Sequence, residues 1–444
     1  MSLPLEGIVV LDFSEYIAGP YSGALLSDLG AEVIKVEPLD GAEERRIGNK
    51  ERYQGDTRMA LTVNRGKRSI CVNLQEEEGR KIVYRLVEKA DITIQNYAPG
   101  VAEKLGIDYE TLSRINPRLI FISSTAFGDI GPYRQRKGFD IIAHAASGIM
   151  FYYADEEGNP RGPGGPTYND IGTGMLNALG AVTALMMREK TGEGQKIETS
   201  LFHTGMAFQT QKVVYIDKLD RKQLEEEFEI LRTAHQQGKR HTNIIDEFAE
   251  LALRYDQPDT TRPIEVPDCY HRPPDRQTAP YYRIYETANG YMGIAAVNRK
   301  HREGVGRILG IKDEGVDRDI GNVPDDIYYH QKEVMREIES QLKKKTTEEW
   351  IKIFEDEGVP CGQVNYSSNF YDDPQAVAVN MIWELENRAM GKYKMAGHPV
   401  RYLKIPVKPQ KGAPTLGEHT DEILTQFGYT NEEIAKFRKS QVVR

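Results

Sequence analysis

Cysteine is scarce in this 444-residue chain: Cys71, Cys269 and Cys361 stand far apart, and none belongs to a C-x-x-C pair. An odd, scattered set excludes a disulfide framework and a cysteine zinc site, and it fits a reducing compartment. Positive charge is not in excess either. Lys and Arg total 58 against 67 Asp and Glu, for a net charge of -9. That balance argues against a dedicated nucleic-acid binder. The longest apolar stretch, Met175 to Met187, falls short of the roughly 20 residues that span a bilayer. The opening MSLPLEGIVVLDF lacks the basic segment and long apolar core of a secretory signal. These absences lead to the expectation of a cytoplasmic protein that partners neither membrane nor nucleic acid. No P-loop, zincin, serine-hydrolase elbow or EF-hand pattern occurs. The nine histidines are scattered without a ligand-like pair at helical spacing, so no metal site is expected.

What the chain does contain is a regular alternation. GIVVLDF, AEVIKVEP, KRSICVNL, DITIQNY and PRLIFISSTAF read as buried strands, separated by helical stretches such as AGPYSGALLSDLG and EEEGRKIVYRLVEKA. Strands alternating with helices predict an α/β fold with a doubly wound, Rossmann-like parallel sheet. Residues 1–217 are assigned to this large domain, and 218–280 to a charged helix followed by a proline-rich linker. Residues 281–357 form a smaller α+β domain: a hairpin turned at Asn289-Gly290, then two helices, the second opened by the capping pattern Thr346–Glu349. Residues 358–444 return to the large domain as a strand, a further strand over HPVRYLKIPVKP, and two helices.

Chemistry concentrates in GGPTYNDIGTGMLNALGAVTALMMREKTGEGQ, where Asp170 opens an apolar helix beside Gly172 and Gly174. Two readings are open. An aspartate at a helix start commonly caps it; a carboxylate among small residues also suits a nucleophile that a substrate must approach closely. The first βαβ unit ends in Glu37 and mimics a dinucleotide fingerprint, yet DFSEYIAGPYSG lacks the glycines that admit a pyrophosphate. A nicotinamide-dependent oxidoreductase is therefore a remote alternative. Three basic clusters, Arg45-Arg46, Arg65/Lys67/Arg68 and Arg134/Arg136/Lys137, lie near predicted strand ends. Separately each reads as solvated surface; together they suit a polyanion such as a nucleotide diphosphate.

The stretches PLEGIVVLDFSEYIAGPYSGALLSDLGAEVIKVEP, NRGKRSICVNLQEEEGRKI, ADITIQNYAPGVAEKLGIDYETLSRINPRLIF, DIGTGMLNALGAVTALMMREKTGEGQ, GVPCGQVN and APTLGEHTDEIL resemble family III coenzyme A transferases. The resemblance implies an acyl-CoA:carboxylate CoA-transferase with Asp170 as nucleophile, working through aspartyl anhydride and aspartyl-CoA thioester intermediates. Coenzyme A then arrives as a thioester substrate, with no permanently bound cofactor. By position, Ile17 and Ala18 match the pair beside the pantetheine and thiol. Val72, Asn73, Leu74 and Gln75, with Asn96, Tyr97 and Ala98, match the nucleotide-binding loops. Lys104 stands where arginine is frequent, and Arg136, Lys137, Gly138 and Phe139 form the loop that meets the phosphates. Gly172 and Gly174 suit close approach and oxyanion donors. Departures are Ile17, where formyl-CoA transferases carry glutamine, and Pro38, where some members carry arginine. The resemblance further implies an interlocked homodimer.

Racemases acting on 2-methylacyl-CoA share this fold and aspartate, and use a histidine in GHDI as a second base. This chain has GFDI, with Phe139 at that position and His144 five residues on. A phenyl ring carries no proton, so the racemase is the second reading. A non-catalytic CoA-binding protein is more remote still.

Overall fold

The computed structural model describes residues 2–47, 56–150, 160–162, 164–239, 280–313, 325–405, 407–408 and 411–444. The chain divides into two compact units, residues 1–148, 165–209 and 371–444 in the first and 149–164 with 210–370 in the second.

The first unit alternates strand and helix: β1 (Val9–Asp12), α1 (Ala18–Asp28), β2 (Glu32–Glu37), α2 (Arg58–Val63), β3 (Arg68–Cys71), α3 (Glu77–Val87) and β4 (Ile92–Gln95). It continues with α4 (Val101–Leu105), α5 (Tyr109–Ile115), β5 (Ile120–Thr125), α6 (Asp140–Ser147), α7 (Tyr168–Thr191), β6 (Gln195–Ser200) and α8 (Leu201–Phe208). The six strands lie in the order β3-β2-β1-β4-β5-β6 and every pairing is parallel. Such a sheet needs cover on both faces, which is why its strands are apolar throughout. Alternate side chains serve the two faces. Val10, Val33, Ile92 and Ile120 pack with Ala181, Ala184 and Leu185 of α7. Leu11, Ile34, Ile70 and Phe121 pack with Ile82 and Leu86 of α3. The order reverses between β1 and β4, so the crevice beyond their carboxyl ends is where this topology places a ligand.

The apolar run Met175–Met187 belongs to a helix of 24 residues, longer than the run itself. By length and composition alone α7 is able to cross a membrane. Its buried residues nevertheless pack under the sheet and against α1.

The second unit holds α9 (Asp217–Gln236), β7 (Tyr282–Glu286), β8 (Tyr291–Ala295), α10 (Arg299–Leu309), α11 (Asp325–Leu342), α12 (Thr347–Asp356) and β9 (Cys361–Gln363). Strands β7, β8 and β9 form an antiparallel sheet that packs with Trp350, Phe354 and Ile338. The Thr346–Glu349 capping box is present in both directions. Among the described residues three helices follow the hairpin rather than two. The proline-rich part of 218–280 lies outside the described residues.

The chain re-enters the first unit at Tyr371 rather than at 358, because β9 pairs with β8. There it forms α13 (Pro374–Ala378), β10 (Ile382–Asn387), β11 (Gly391–Ala396), α14 (Thr420–Gln426) and α15 (Asn431–Lys439). The described residues of HPVRYLKIPVKP form no strand; Pro399 has no N–H to give a ladder. An antiparallel hairpin, β10 with β11, forms just before it instead. Helices α14 and α15 complete the core beside β3, where Ile423, Leu424 and Phe437 join Ile70 and Val72.

Candidate active site

A cavity of about 690 Å³ opens beyond the carboxyl ends of β1 and β4. The turn after β1 supplies Glu15, Tyr16, Ile17 and Ala18; the segment after β4 supplies Asn96, Tyr97 and Ala98. Asn96 joins the two. Its Oδ1 accepts from the Glu15 N–H at 2.8 Å and its Nδ2 donates to the Glu15 carbonyl at 2.6 Å. Arg136, Lys137, Gly138 and Phe139 line a third side, and Asp170 a fourth. Ten of the residues singled out from the sequence thus share one cavity.

Asp170 does not cap its helix. Thr167 holds the cap position, without a side-chain bond, and Asp170 is in the first turn of α7. The side chain is half-buried. Burial and the neighbouring Asp140 carboxylate push its pKa up to about 7. A helix N-terminus favours the ionised form by about 0.3–1 kcal/mol; here desolvation and a like charge win. Asp140, the first residue of α6, accepts the Asp170 backbone N–H through Oδ1 at 3.0 Å. Sequence reading passed over Asp140, although it sits in the quoted GFDI. It also passed over Glu15, whose carboxyl is half-buried in the cavity wall with its pKa raised by burial to about 7.

The remaining expected residues lie elsewhere. The Val72 and Asn73 N–H groups bond the Glu37 and Val442 carbonyls, at 2.8 Å each, and Leu74 is core. Gln75 and Lys104 are exposed and outside the cavity. Gly172 and Gly174 are helical and do not line it. A Cβ at Gly172 would lie 2.3 Å from Phe208 Cζ, and one at Gly174 would lie 2.8 Å from the Ala18 carbonyl oxygen. Their small size lets α8 and α1 approach α7, and beyond the first turn a helical N–H is already engaged in the ladder. They are therefore packing glycines, not oxyanion donors. In the other two basic clusters three of the five cations are buried in ion pairs. Arg45 is buried against Glu37 and Asp56, Arg65 against Asp28, and Lys67 against Asp12. Arg136 stays at the cavity, stacked 3.8 Å over the Tyr133 ring.

The racemase base has no counterpart. Phe139, 58% exposed, lines the cavity at that position and packs edge-on to Tyr16 with centroids 5.2 Å apart. His144 is buried one turn further along α6, its Nε2 2.9 Å from Asp140 Oδ2, and it does not reach the cavity. Among the described residues no group of three or more His, Cys, Asp or Glu is arranged to hold a metal.

The sequence matches the family described as CoA-transferase family III over residues 5–241 and 256–420. It is 30% identical to the succinyl-CoA:glutarate CoA-transferase of Homo sapiens across 442 residues, 99% of this chain and 90% of that protein. A stretch of 206 residues, 46% of this chain and 52% of the other, is 40% identical to the acetyl-CoA:oxalate CoA-transferase of Acetobacter aceti. Among solved structures, a CAIB/BAIF family protein from Brucella suis superposes with a TM-score of 0.71 at 27% identity, covering 96% of this chain and 100% of that one. The activity is acyl-CoA:carboxylate CoA transfer, with the CoA thioester as substrate. With that match over most of its length and that architecture, the chain belongs to CoA-transferase family III.

Proposed function

We propose that Asp170 carries the transfer covalently. The observation behind this reading is its position: a half-buried carboxyl, free of capping duty, on the wall of the switch-point cavity and pushed up to about 7. As carboxylate it attacks the thioester carbonyl carbon; the C–S bond breaks, giving a mixed anhydride and CoA thiolate. The thiolate attacks the Asp170 carboxyl carbon, the anhydride C–O bond breaks, and the donor acid leaves. The acceptor carboxylate then attacks the enzyme thioester, and the same two steps in reverse return CoA to the acceptor and restore Asp170. Each step exchanges similar carboxyl groups, so none is steeply uphill. Poor solvation of Asp170 favours attack and keeps water from the activated intermediates.

Ile17 and Ala18 are assigned to the pantetheine and thiol, Asn96 to Ala98 to the nucleotide, and Arg136 with Lys137 to the phosphates, all of them on the cavity wall. Dicarboxylic acids are the proposed acyl partners, from the named activity of the human relative. A second copy of the chain is the proposed partner, supported by the exposed apolar side chains Met175, Leu179, Met186 and Met187 on α7. A cytoplasmic setting is supported by Cys71 and Cys361, both free thiols.

The test is to trap the enzyme thioester. Incubated with succinyl-CoA and no acceptor, then treated with hydroxylamine, the protein should carry a hydroxamate on the peptide spanning Gly164–Arg188. Succinate should be released in proportion to enzyme. Asp170→Ala should give no adduct and no transfer while still binding CoA. An active wild-type enzyme that yields no adduct under rapid quench would remove Asp170 from the chemistry.

A further inference from the structure

Four charged side chains are buried directly behind the turn that forms one wall of the cavity. Asp12, Lys35 and Glu44 are 0% exposed and Lys67 is 1% exposed. Lys35 Nζ lies 3.0 Å from Glu44 Oε1 and 3.8 Å from Asp12 Oδ2, and Lys67 Nζ donates to Asp12 Oδ2 at 2.6 Å. Two positive and two negative charges cancel. Their field holds the Asp12 carboxyl below its usual range and Lys35 above its own, while desolvation brings Lys67 down to about 8.

Three of the four, Asp12, Lys35 and Glu44, send further bonds to the main chain of the turn, while Lys67 Nζ donates to the Pro20 carbonyl of α1 and to Asn64 Oδ1. Lys35 Nζ donates to the Ser14 carbonyl, Asp12 Oδ1 accepts the Ser14 N–H at 3.0 Å, and Glu44 Oε2 accepts the Tyr16 N–H at 3.1 Å. Tyr16 has φ +66°, left-handed backbone that a bulky L-residue adopts only under constraint. From the other side Asn96 holds Glu15 by both its N–H and its carbonyl. The peptide planes from Ser14 to Tyr16 are therefore fixed from behind by charge, immediately before Ile17 and Ala18 enter the cavity.

Well-packed apolar residues at such positions are often as stabilising as a buried ion pair, or more so. Stability alone therefore does not account for a four-charge cluster in which Asp12, Lys35 and Glu44 all bond the main chain of one strained turn. We infer that Lys35 and Glu44 are positioning residues for CoA transfer. They act through the Ser14–Tyr16 backbone to hold Ile17 and Ala18 in register with Asp170 and to keep water from the enzyme thioester. This inference rests on the covalent reading of Asp170 given above.

The test compares Lys35→Met/Glu44→Met, Glu44→Gln and Glu44→Ala with the wild type, using succinyl-CoA as donor and glutarate as acceptor. The double variant removes one positive and one negative charge together, so Asp12 and Lys67 remain a neutral pair. It should fold, by circular dichroism, and bind CoA, by calorimetry. Its kcat should fall about 10- to 100-fold, the cost of a small misplacement of reacting groups. The share of succinyl-CoA lost to hydrolysis rather than transfer should rise, a partition that a merely structural pair would leave alone. Glu44→Gln keeps an acceptor for the Tyr16 N–H and should restore most of that partition relative to Glu44→Ala. Three results each overturn the inference: a double variant with wild-type kcat and partition, a double variant that does not fold, or a glutamine variant no better than the alanine one. Wild-type enzyme that shows no Asp170 adduct defeats the covalent reading itself; an adduct in wild type beside a fully active double variant defeats only the pair.

Discussion

In the first unit Asp12, Asp28, Lys35, Glu37, Glu44, Arg45, Arg65 and Lys67 are all 3% exposed or less. The second unit closes around Tyr285, Met292, Ile338, Trp350 and Phe354, and puts its ion pairs outside, as in Arg299–Glu303 and Arg307–Glu357. Among its described residues Asp313 is an exception, half-buried and bonded by the Tyr281 hydroxyl at 2.7 Å and His330 Nε2 at 2.6 Å. The apolar packing of the second unit resembles what a small domain needs merely to fold. In the first, buried charge collects along β1, β2 and the segment before β3, and Asp12, Lys35 and Glu44 bond the turn that leads into the cavity. Buried charge thus marks where geometry is held rather than volume filled. A buried ion pair is a poor source of stability but a stiff, directional one.

The comparison can be broken by removing one charge from each unit. Lys67→Met leaves Asp12 in the interior without its 2.6 Å partner and opens the bonds to the Pro20 and Asn64 oxygens. The expected loss is about 3–5 kcal/mol, the usual consequence of stranding one member of a buried pair. Lys343→Met takes away an exposed ammonium shared by Glu286 and Glu339, and the melting midpoint should move by about 1 °C or less. Denaturant and thermal unfolding of the two variants would check this. Comparable losses in both would mean that the buried charges have no special standing.

The division was only partly visible in the sequence. The α/β alternation was legible because fully buried parallel strands are continuous apolar runs, and from that alternation the large sheet follows. The cavity was legible wherever a motif is local: Ile17-Ala18, Asn96 to Ala98, Arg136 to Phe139 and Asp170 all reach it. The buried charge was not. Arg65 and Lys67 read as an open basic cluster because their partners, Asp28 and Asp12, are 37 and 55 positions away. No spacing rule connects them. Gly172 and Gly174 were legible as sites of close approach, but what approaches is neighbouring helix and side chain. The β10–β11 hairpin did leave a signal, since Trp383 and Leu385 alternate with exposed glutamates. The stronger apolar look of HPVRYLKIPVKP outweighed it.

A smaller effect sharpens the contrast from the side of the cavity. Asp170 titrates near 7, raised first by burial and then by Asp140. In the proposed mechanism the carboxylate is the attacking form, so kcat/KM for succinyl-CoA should fall about tenfold per unit below that pH and level off above it. Asp140→Asn removes the neighbouring charge but keeps an oxygen for the Asp170 N–H, so the inflection should move to lower pH. Stability runs with the opposite sign. The folded protein holds the Asp170 proton up to about 7 while the unfolded chain releases it near 3.8. This contribution is complete below about 3.8 and is lost as the pH rises through 7. Wild type should therefore lose more stability than Asp170→Asn between those values, as melting curves across pH would record. Equal pH slopes in the two proteins would mean that Asp170 titrates normally.

The smallest expected effect concerns how helices begin. In α12 Thr346 accepts the Glu349 N–H at 3.3 Å, and Glu349 accepts the Thr346 N–H at 2.9 Å. The same reciprocal box, Thr430 with Glu433, opens α15 in the first unit, so capping separates scaffold from site rather than one unit from the other. Helix α7 begins at the cavity with Thr167 making no side-chain cap bond. Part of its open N-terminus is met by Asp140, which takes the Asp170 N–H at 3.0 Å. A helix start without a side-chain cap leaves backbone donors at the cavity, where the proposed mechanism brings anionic carboxylates. Thr346→Ala should then cost about 1 kcal/mol, as for other threonine caps. Thr167→Ala should leave stability within about 0.5 kcal/mol of wild type, since no cap bond is lost. Chemical unfolding of the two variants under one condition would separate the cases. A loss at Thr167 as large as that at Thr346 would mean that α7 is capped in solution and that its first turn is scaffold rather than site.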